Sequence, residues 1–142
     1  MKYTIIHIPT YEQPKIMKLE TLELEDMQRL VGGYVENLIL DCISSGDCYR
    51  GIHLNFNEEG RLDGLPPNRL FKRADGNVFD IVGDAFICGV NEYGQTIGLT
   101  DEQAEKWLKA AQNAPRTHTY DKKSEMWINR TVVIIDENTE YN

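Results

Sequence analysis

VFDIVGDAFICGVNEYGQTIGLTDEQAEKWLKAAQN, residues 78–113, is the stretch on which the fold turns. Residues 78–90 (VFDIVGDAFICGV) form the most apolar run of the chain and read as one or two central strands. Gly83 sits inside that run, where a strand glycine marks a bulge or a close backbone approach. Residues 91–98 read as a hairpin-like loop. Thr100-Asp101-Glu102-Gln103 is a capping box, with Thr at the N-cap and Gln at N3. Ala104, Trp107, Leu108 and Ala111 then recur at i, i+3, i+4 and i+7, which predicts an amphipathic helix closed by Pro115.

Working outward, residues 51–56 (GIHLNF) place Ile52, Leu54 and Phe56 on one face of a strand, with His53 turned toward solvent or a partner surface. Residues 34–40 (YVENLIL) read as its antiparallel partner, joined to it through a loop at 42–50. Asn57-Glu58-Glu59-Gly60 is a tight turn. In residues 61–71 (RLDGLPPNRLF), Leu62, Leu65, Leu70 and Phe71 are expected anchors, Pro66-Pro67 sets a bend, and Asn68 caps a single helical turn. Asp75-Gly76-Asn77 is a turn. A first helix is expected over residues 21–31, with Thr21 as N-cap and Leu24, Met27, Leu30 and Val31 as its apolar stripe. Glu23, Glu25 and Asp26 lie at its anion-favouring end. Gly32-Gly33 ends it. A phosphate cradle is the alternative, weakened because these glycines follow a helix instead of preceding one.

Residues 3–8 and 16–19 read as strands parted by Pro14. Downstream, residues 116–125 are polar, residues 126–135 (MWINRTVVII) read as a strand, and the last residues as a frayed end. The order β-β-α-β-β-β-α-β predicts an α+β fold, an antiparallel β-sheet with two main helices packed on one side.

A length of 142 residues suits a single domain, 1–142, with a strand extension at 126–136. Hydrophobic residues at 41% and charged residues at 27% exclude a disordered chain, a collagen-like chain and a disulfide-stapled miniprotein. Lys and Arg number 15 against 23 Asp and Glu, a formal charge of −8, the opposite of a free-standing nucleic-acid binder. The excess is even: residues 1–71 carry 7 basic and 11 acidic side chains, residues 72–142 carry 8 and 12, so each half is −4. Such a surface either aids solubility or imitates nucleic-acid phosphates. No run of ~18 apolar residues predicts a membrane span. The opening MKYTIIHIPTYEQ is too short and alternating for a signal peptide, which makes the cytoplasm the expected compartment. Cys42, Cys48 and Cys88 lack framework spacing. Cys42 and Cys48 either approach each other across ISSGD, as a disulfide or metal pair, or stay free thiols.

Enzyme signatures are missing. There is no P-loop, G-x-G-x-x-G, G-x-S-x-G, H-E-x-x-H or C-x-x-C. His7, His53 and His118 are scattered, so no metal and no cofactor are expected. Asp80 and Asp84, four apart on one strand, would share a face roughly 13 Å apart, too far for an acid–base couple unless Gly83 bulges the chain. Tyr34, Tyr49, Tyr93 and Tyr120 fall at element edges or in loops. They are either scattered surface residues or, beside acidic groups, contacts for a basic protein surface.

Five segments carry a resemblance: residues 27–36 (MQRLVGGYVE), 57–62 (NEEGRL), 65–68 (LPPN), 80–87 (DIVGDAFI) and 99–102 (LTDE). In that order and spacing they resemble a family of small uncharacterised domains of phages, plasmids and conjugative elements, over about residues 3–112. The resemblance implies a mobile-element setting, and some members of this kind resemble anti-CRISPR inhibitors of type II effector nucleases. It brings no catalytic residues. The expected function is a non-enzymatic counter-defence protein that binds and blocks a host defence protein, acidic groups standing in for phosphates in a positively charged channel. No direct nucleic-acid or membrane partner is expected. The candidate partner-binding residues are Tyr34, Glu36, Glu58, Glu59, Asp80, Asp84 and Tyr93. The alternative is a sponge for a nucleotide immune signal. For it, loops around Asn57, Asn68 and Asn91, with Gly83, would line a pocket between protomers of a homo-oligomer, with Asn68, Arg69, Lys72 and Arg73 on the ligand and Arg61 in the same basic cluster of the sequence. If Arg69, Lys72 and Arg73 line a cleft the sponge gains; if they are engaged locally it loses.

Overall fold

Along the chain the elements are β1 (Tyr3–Ile8), β2 (Lys15–Leu19), α1 (Leu24–Val31), β3 (Val35–Ser44), β4 (Asp47–Asn57), β5 (Pro67–Lys72), β6 (Val78–Val82), β7 (Ala85–Val90), β8 (Thr96–Ile97), α2 (Asp101–Asn113), β9 (His118–Asp121) and β10 (Met126–Asn129). This computed structural model describes residues 3–44, 47–72, 76–115, 118–121 and 126–129. The main sheet has the order β2-β1-β7-β4-β3, every neighbour antiparallel, and β8 pairs with the end of β7. β5–β6 and β9–β10 are separate two-stranded sheets. The α+β class read from the sequence is the class of the fold.

β7 holds the centre. Its Ile87 lies opposite Ile6 of β1 and Leu54 of β4. Strand side chains alternate between faces, and here both faces are apolar. Ile6, Ile8, Leu54, Ala85 and Ile87 pack with Ala104, Trp107 and Ala111 of α2 and with Phe71 and Ile81 of the β5–β6 hairpin. Ile5, Phe86 and Cys88 face the other way and pack with Val31, Met27 and Leu30 of α1. The two helices therefore cover opposite faces, which corrects the expectation that both lie on one side. β1 and β7 carry apolar side chains at odd and even positions alike, so each face needs its own cover.

Both helix caps are local. In α2 the Gln103 N–H donates to Thr100 Oγ1 at 3.1 Å and the Thr100 N–H donates to Gln103 Oε1 at 2.9 Å, the capping box read from the sequence. α1 starts later than expected, with Glu23 at the N-cap. The cause is Asp26, whose Oδ2 accepts from the Glu23 N–H at 2.9 Å and from the Thr21 hydroxyl at 2.8 Å. These bonds, the Glu23 N–H first, hold the Asp26 carboxyl below its usual range. α1 ends at Gly32, as the double glycine implied.

Other local expectations are corrected. Residues 42–50 are not a loop alone, since β3 runs to Ser44 and β4 begins at Asp47. His53 is 5% exposed, on the α1 side of the sheet, and does not face solvent. Asn68 sits in strand β5 instead of capping a helical turn. Leu62 is no anchor, being 87% exposed. The apolar run 78–90 is two strands in two sheets, split at Gly83 and Asp84. The expected terminal strand is represented by β10, and residues 130–136 lie outside the described residues.

Candidate binding site at the end of the first helix

The segments 27–36, 57–62, 65–68 and 80–87 meet at one end of the sheet, around the Gly32-Gly33 step that links α1 to β3. A Cβ on Gly33 would lie 2.7 Å from Asn57 Nδ2, so any other residue there would push the Asn57 amide out of place. Asn57 then ties the corner. Its Nδ2 donates to the Val31 carbonyl at 3.4 Å, and its Oδ1 accepts from the Glu59 N–H at 2.8 Å. The Glu58 N–H donates to the Tyr34 carbonyl at 2.8 Å. On the far side of the step, the Gly83 N–H donates to the Pro66 carbonyl at 2.7 Å. Asn68 Nδ2 donates to the carbonyls of Ile8, at 2.9 Å, and Gly83, at 2.8 Å. Asp84 Oδ1 accepts from both the N–H and the hydroxyl of Thr10, each at 2.9 Å.

Two clefts open on this scaffold. One, about 260 Å³, is lined by Gln28, Gly33, Tyr34, Asn57, Glu59 and Asp63. The other, about 290 Å³, includes Thr10, Tyr11, Leu65, Pro66 and Asp84 in its lining, with Arg29 and Leu30 from α1 and Gly32 at its C-cap. The first has two carboxylates in its lining and no Lys or Arg. In the second, the Arg29 guanidinium is turned to Asp26, Nη1 to Oδ1 3.3 Å. Around them the surface exposes Tyr11, Tyr34 and Leu62, at 67%, 64% and 87%. Glu58 is exposed next to Glu59, and Glu36 is exposed at the same end of the sheet but, opposite Phe56, on the α2 face.

The expected partner-binding residues are thus divided. Tyr34, Glu36, Glu58, Glu59 and Asp84 share this end of the sheet. Tyr93 does not: β7 carries the chain from Ala85 beside Ile8 to Val90 beside Gly51, and Tyr93 sits in the turn beyond, at the opposite end. Asp80 lies in β6 opposite Leu70. Its carbonyl accepts from Arg61 Nη2 at 2.6 Å, while its carboxylate Oδ1 is buried with no partner among the described residues. Asp80 and Asp84 do not share a strand, because β6 ends at Val82 and Asp84 is held to Thr10. The strand-rise spacing expected for them does not apply.

Of the residues expected around a nucleotide, Asn57 and Gly83 line the clefts, one each, whereas Asn68, Arg69 and Lys72 line neither. Asn68 and Arg69 are 1% and 3% exposed. Arg69 Nη1 donates to Asn68 Oδ1 at 3.1 Å and Nη2 to the Glu12 carbonyl at 3.4 Å, so both act as braces of the fold. Lys72 is half-buried at the end of β5, and Arg73 lies outside the described residues. Asn91 closes its own turn, its Oδ1 accepting from the Tyr93 and Gln95 N–H groups. The sequence reading missed Thr10, Tyr11, Gln28 and Asp63. The one local signal for Tyr11 was its place between Pro9 and Pro14, which implies a turn that exposes it.

A second polar group is closed to solvent. His53, Asn55 and Cys88 are 5%, 3% and 1% exposed on the α1 side of the sheet, and Asn55 Nδ2 lies 3.3 Å from Cys88 Sγ. Burial pushes the Cys88 thiol up to about 11. At pH 8 about one thiol in a thousand would be ionised, and that one enclosed. Alkylation at Cys88, followed by peptide mass spectrometry, is expected to be at least about a hundredfold slower in the native protein than in denaturant. Equal rates would contradict a closed thiol. Among the described residues, no three His, Cys, Asp or Glu side chains gather to hold a metal. Among the same residues no helix is long and apolar enough to cross a membrane.

No curated protein and no solved structure matches the chain. Residues 1–112 match the family model described as Domain of unknown function (DUF3846), a span from β1 through nearly all of α2 that holds both clefts, and the chain belongs to that family.

Proposed function

We propose that this protein is a non-enzymatic binding protein whose Gly32-Gly33 end grips a basic surface of a partner protein. The observation that carries the reading is the excess of carboxylates and exposed aromatic surface at that end: Glu59, Asp63 and Asp84 in the two clefts, Glu58 beside Glu59, and exposed Tyr11, Tyr34 and Leu62, against Arg29, which pairs with Asp26, and Arg61, which donates to the Asp80 carbonyl. Tyrosine brings contact area at low entropic cost, and carboxylates steer and orient a cationic partner. The mobile-element resemblance suggests that the partner is a host defence protein that this chain blocks. The nucleic-acid channel of a type II CRISPR effector nuclease is a positively charged surface of the required kind.

Co-purification of the tagged chain from host extract, with mass-spectrometric identification, tests this. A basic partner is expected to be retained at low salt, released as salt rises, and lost with Tyr34→Ala combined with Glu59→Gln. Tyr93→Ala, at the other end of the sheet, should leave retention unchanged. Retention of no partner at low salt would overturn the reading, as would a partner lost with Tyr93→Ala and kept with the Tyr34 and Glu59 changes.

A further inference from the structure

The cleft beside Asp84 has apolar walls and one unused carboxylate oxygen. Both Thr10 donors go to Asp84 Oδ1, which leaves Oδ2 without a hydrogen-bond partner among the described residues, while His7 interacts electrostatically with the same carboxylate. Asp84 is half-buried, and partial exclusion of water strengthens what its charge can do. The last turn of α1, Arg29 to Gly32, forms another wall. A helix C-terminus carries the negative end of the dipole; of the last four α1 carbonyls, that of Gln28 accepts from the Gly32 and Gly33 N–H groups and that of Val31 from Asn57 Nδ2, so the carbonyls offered here are those of Arg29 and Leu30. Leu30, Leu65 and Pro66 supply apolar surface, and Tyr11 stands at the rim. Arg29 also lines this cleft, and its guanidinium pairs with Asp26 one turn back along the helix, Nη1 to Oδ1 3.3 Å.

From this geometry we infer that the cleft takes a lysine side chain presented by the partner protein. The ammonium sits against Asp84 Oδ2 and the C-terminal end of α1, and the aliphatic stem lies along Leu30, Leu65 and Pro66. Lysine fits better than arginine. A guanidinium fork pairs with two carboxylate oxygens at once, and Thr10 already occupies one. An ammonium is a compact charge with three rotatable donors, suited to one carboxylate oxygen and nearby carbonyls. The inference rests on the partner-binding reading and adds the residue type that anchors it.

An amide NMR titration with Nα-acetyl-lysine methylamide tests it, beside the same probe acetylated at Nε and the arginine analogue. Shifts are expected at the amides of Thr10, Gly32, Gly83 and Asp84, with the Nε-acetylated probe at least about tenfold weaker. Asp84→Asn keeps an oxygen for Thr10 and should remove the preference for the charged probe. If that variant misfolds, the charged and acetylated probes on the unaltered protein decide alone. Shifts that are absent, spread over the acidic surface, or insensitive to acetylation would overturn the assignment. Localised, charge-dependent shifts in a protein that retains no partner at low salt would support the lysine cleft and overturn the partner-binding reading. A partner held equally by the unaltered protein and Asp84→Asn, without localised shifts, would do the reverse.

Discussion

Asn68→Leu is expected to lower the free energy of unfolding by about 4 kcal/mol, because two buried carbonyls lose the side-chain donor they share and each such loss costs about 1–3 kcal/mol. Asn68 is 1% exposed, and its Nδ2 reaches the Ile8 carbonyl at 2.9 Å and the Gly83 carbonyl at 2.8 Å. Ile8 ends β1 and Gly83 follows β6, so one amide fastens a main-sheet strand to the β5–β6 hairpin. Its Oδ1 also accepts from Arg69, which leucine would leave buried without that acceptor. Leucine approximates the shape of asparagine, so the loss would come from hydrogen bonds and not from a cavity. Urea unfolding followed by circular dichroism, with the slope unchanged, checks the figure. A loss below about 1 kcal/mol would mean that water or a relaxed backbone satisfies both carbonyls, and Asn68 would not be a brace. Because the same amide positions Gly83 beside Asp84, a surviving Asn68→Leu protein should also respond less to the lysine probe.

How far the sequence anticipated this architecture depends on how local each signal is. The Thr100–Gln103 box and the Gly32-Gly33 stop each act within one turn of helix, and both elements end or begin where those residues place them. The placement of the two helices was not local. It follows from β1 and β7 being apolar at both parities, a feature that also blurs the alternation by which a strand is read. The stretch 42–50 looked like a loop because pairing of β3 with β4 shifts register between Ile39 and Asp41 and again between Cys42 and Ser44, which breaks the period of two. In the candidate site, Tyr34, Glu58 and Glu59 were legible because they flank turns joined by β3 and β4. The contact of Thr10 with Asp84 spans 74 residues and leaves no mark in either neighbourhood. Tyr93 shows the opposite failure. Its composition context matches that of Tyr34, but only strand direction tells which end of the sheet a turn occupies.

The glycine between β6 and β7 separates two causes that a single substitution would merge. Gly83 has φ of +75°, where an L side chain meets its own backbone, and a Cβ built there falls 2.7 Å from Leu65 Cδ1. The first effect costs about 1–2 kcal/mol for any non-glycine residue, and overpacking adds about 1–3 kcal/mol. Gly83→Ala is therefore expected to destabilise by about 3 kcal/mol, and Gly83→Val by more, since β-branching stiffens an already unfavourable backbone. Leu65→Ala removes the methyl that the new Cβ would strike and leaves the dihedral untouched. In a double-mutant cycle, the pair should cost about 1–2 kcal/mol less than the sum of the single changes. Exact additivity would place the whole penalty in the backbone and show that Leu65 yields freely. Full rescue would remove the dihedral from the account. Both residues also border the cleft beside Asp84. Removing the Leu65 methyl relieves the clash but also widens that cleft, so the double variant, where it folds, should bind the lysine probe more weakly than the unaltered protein.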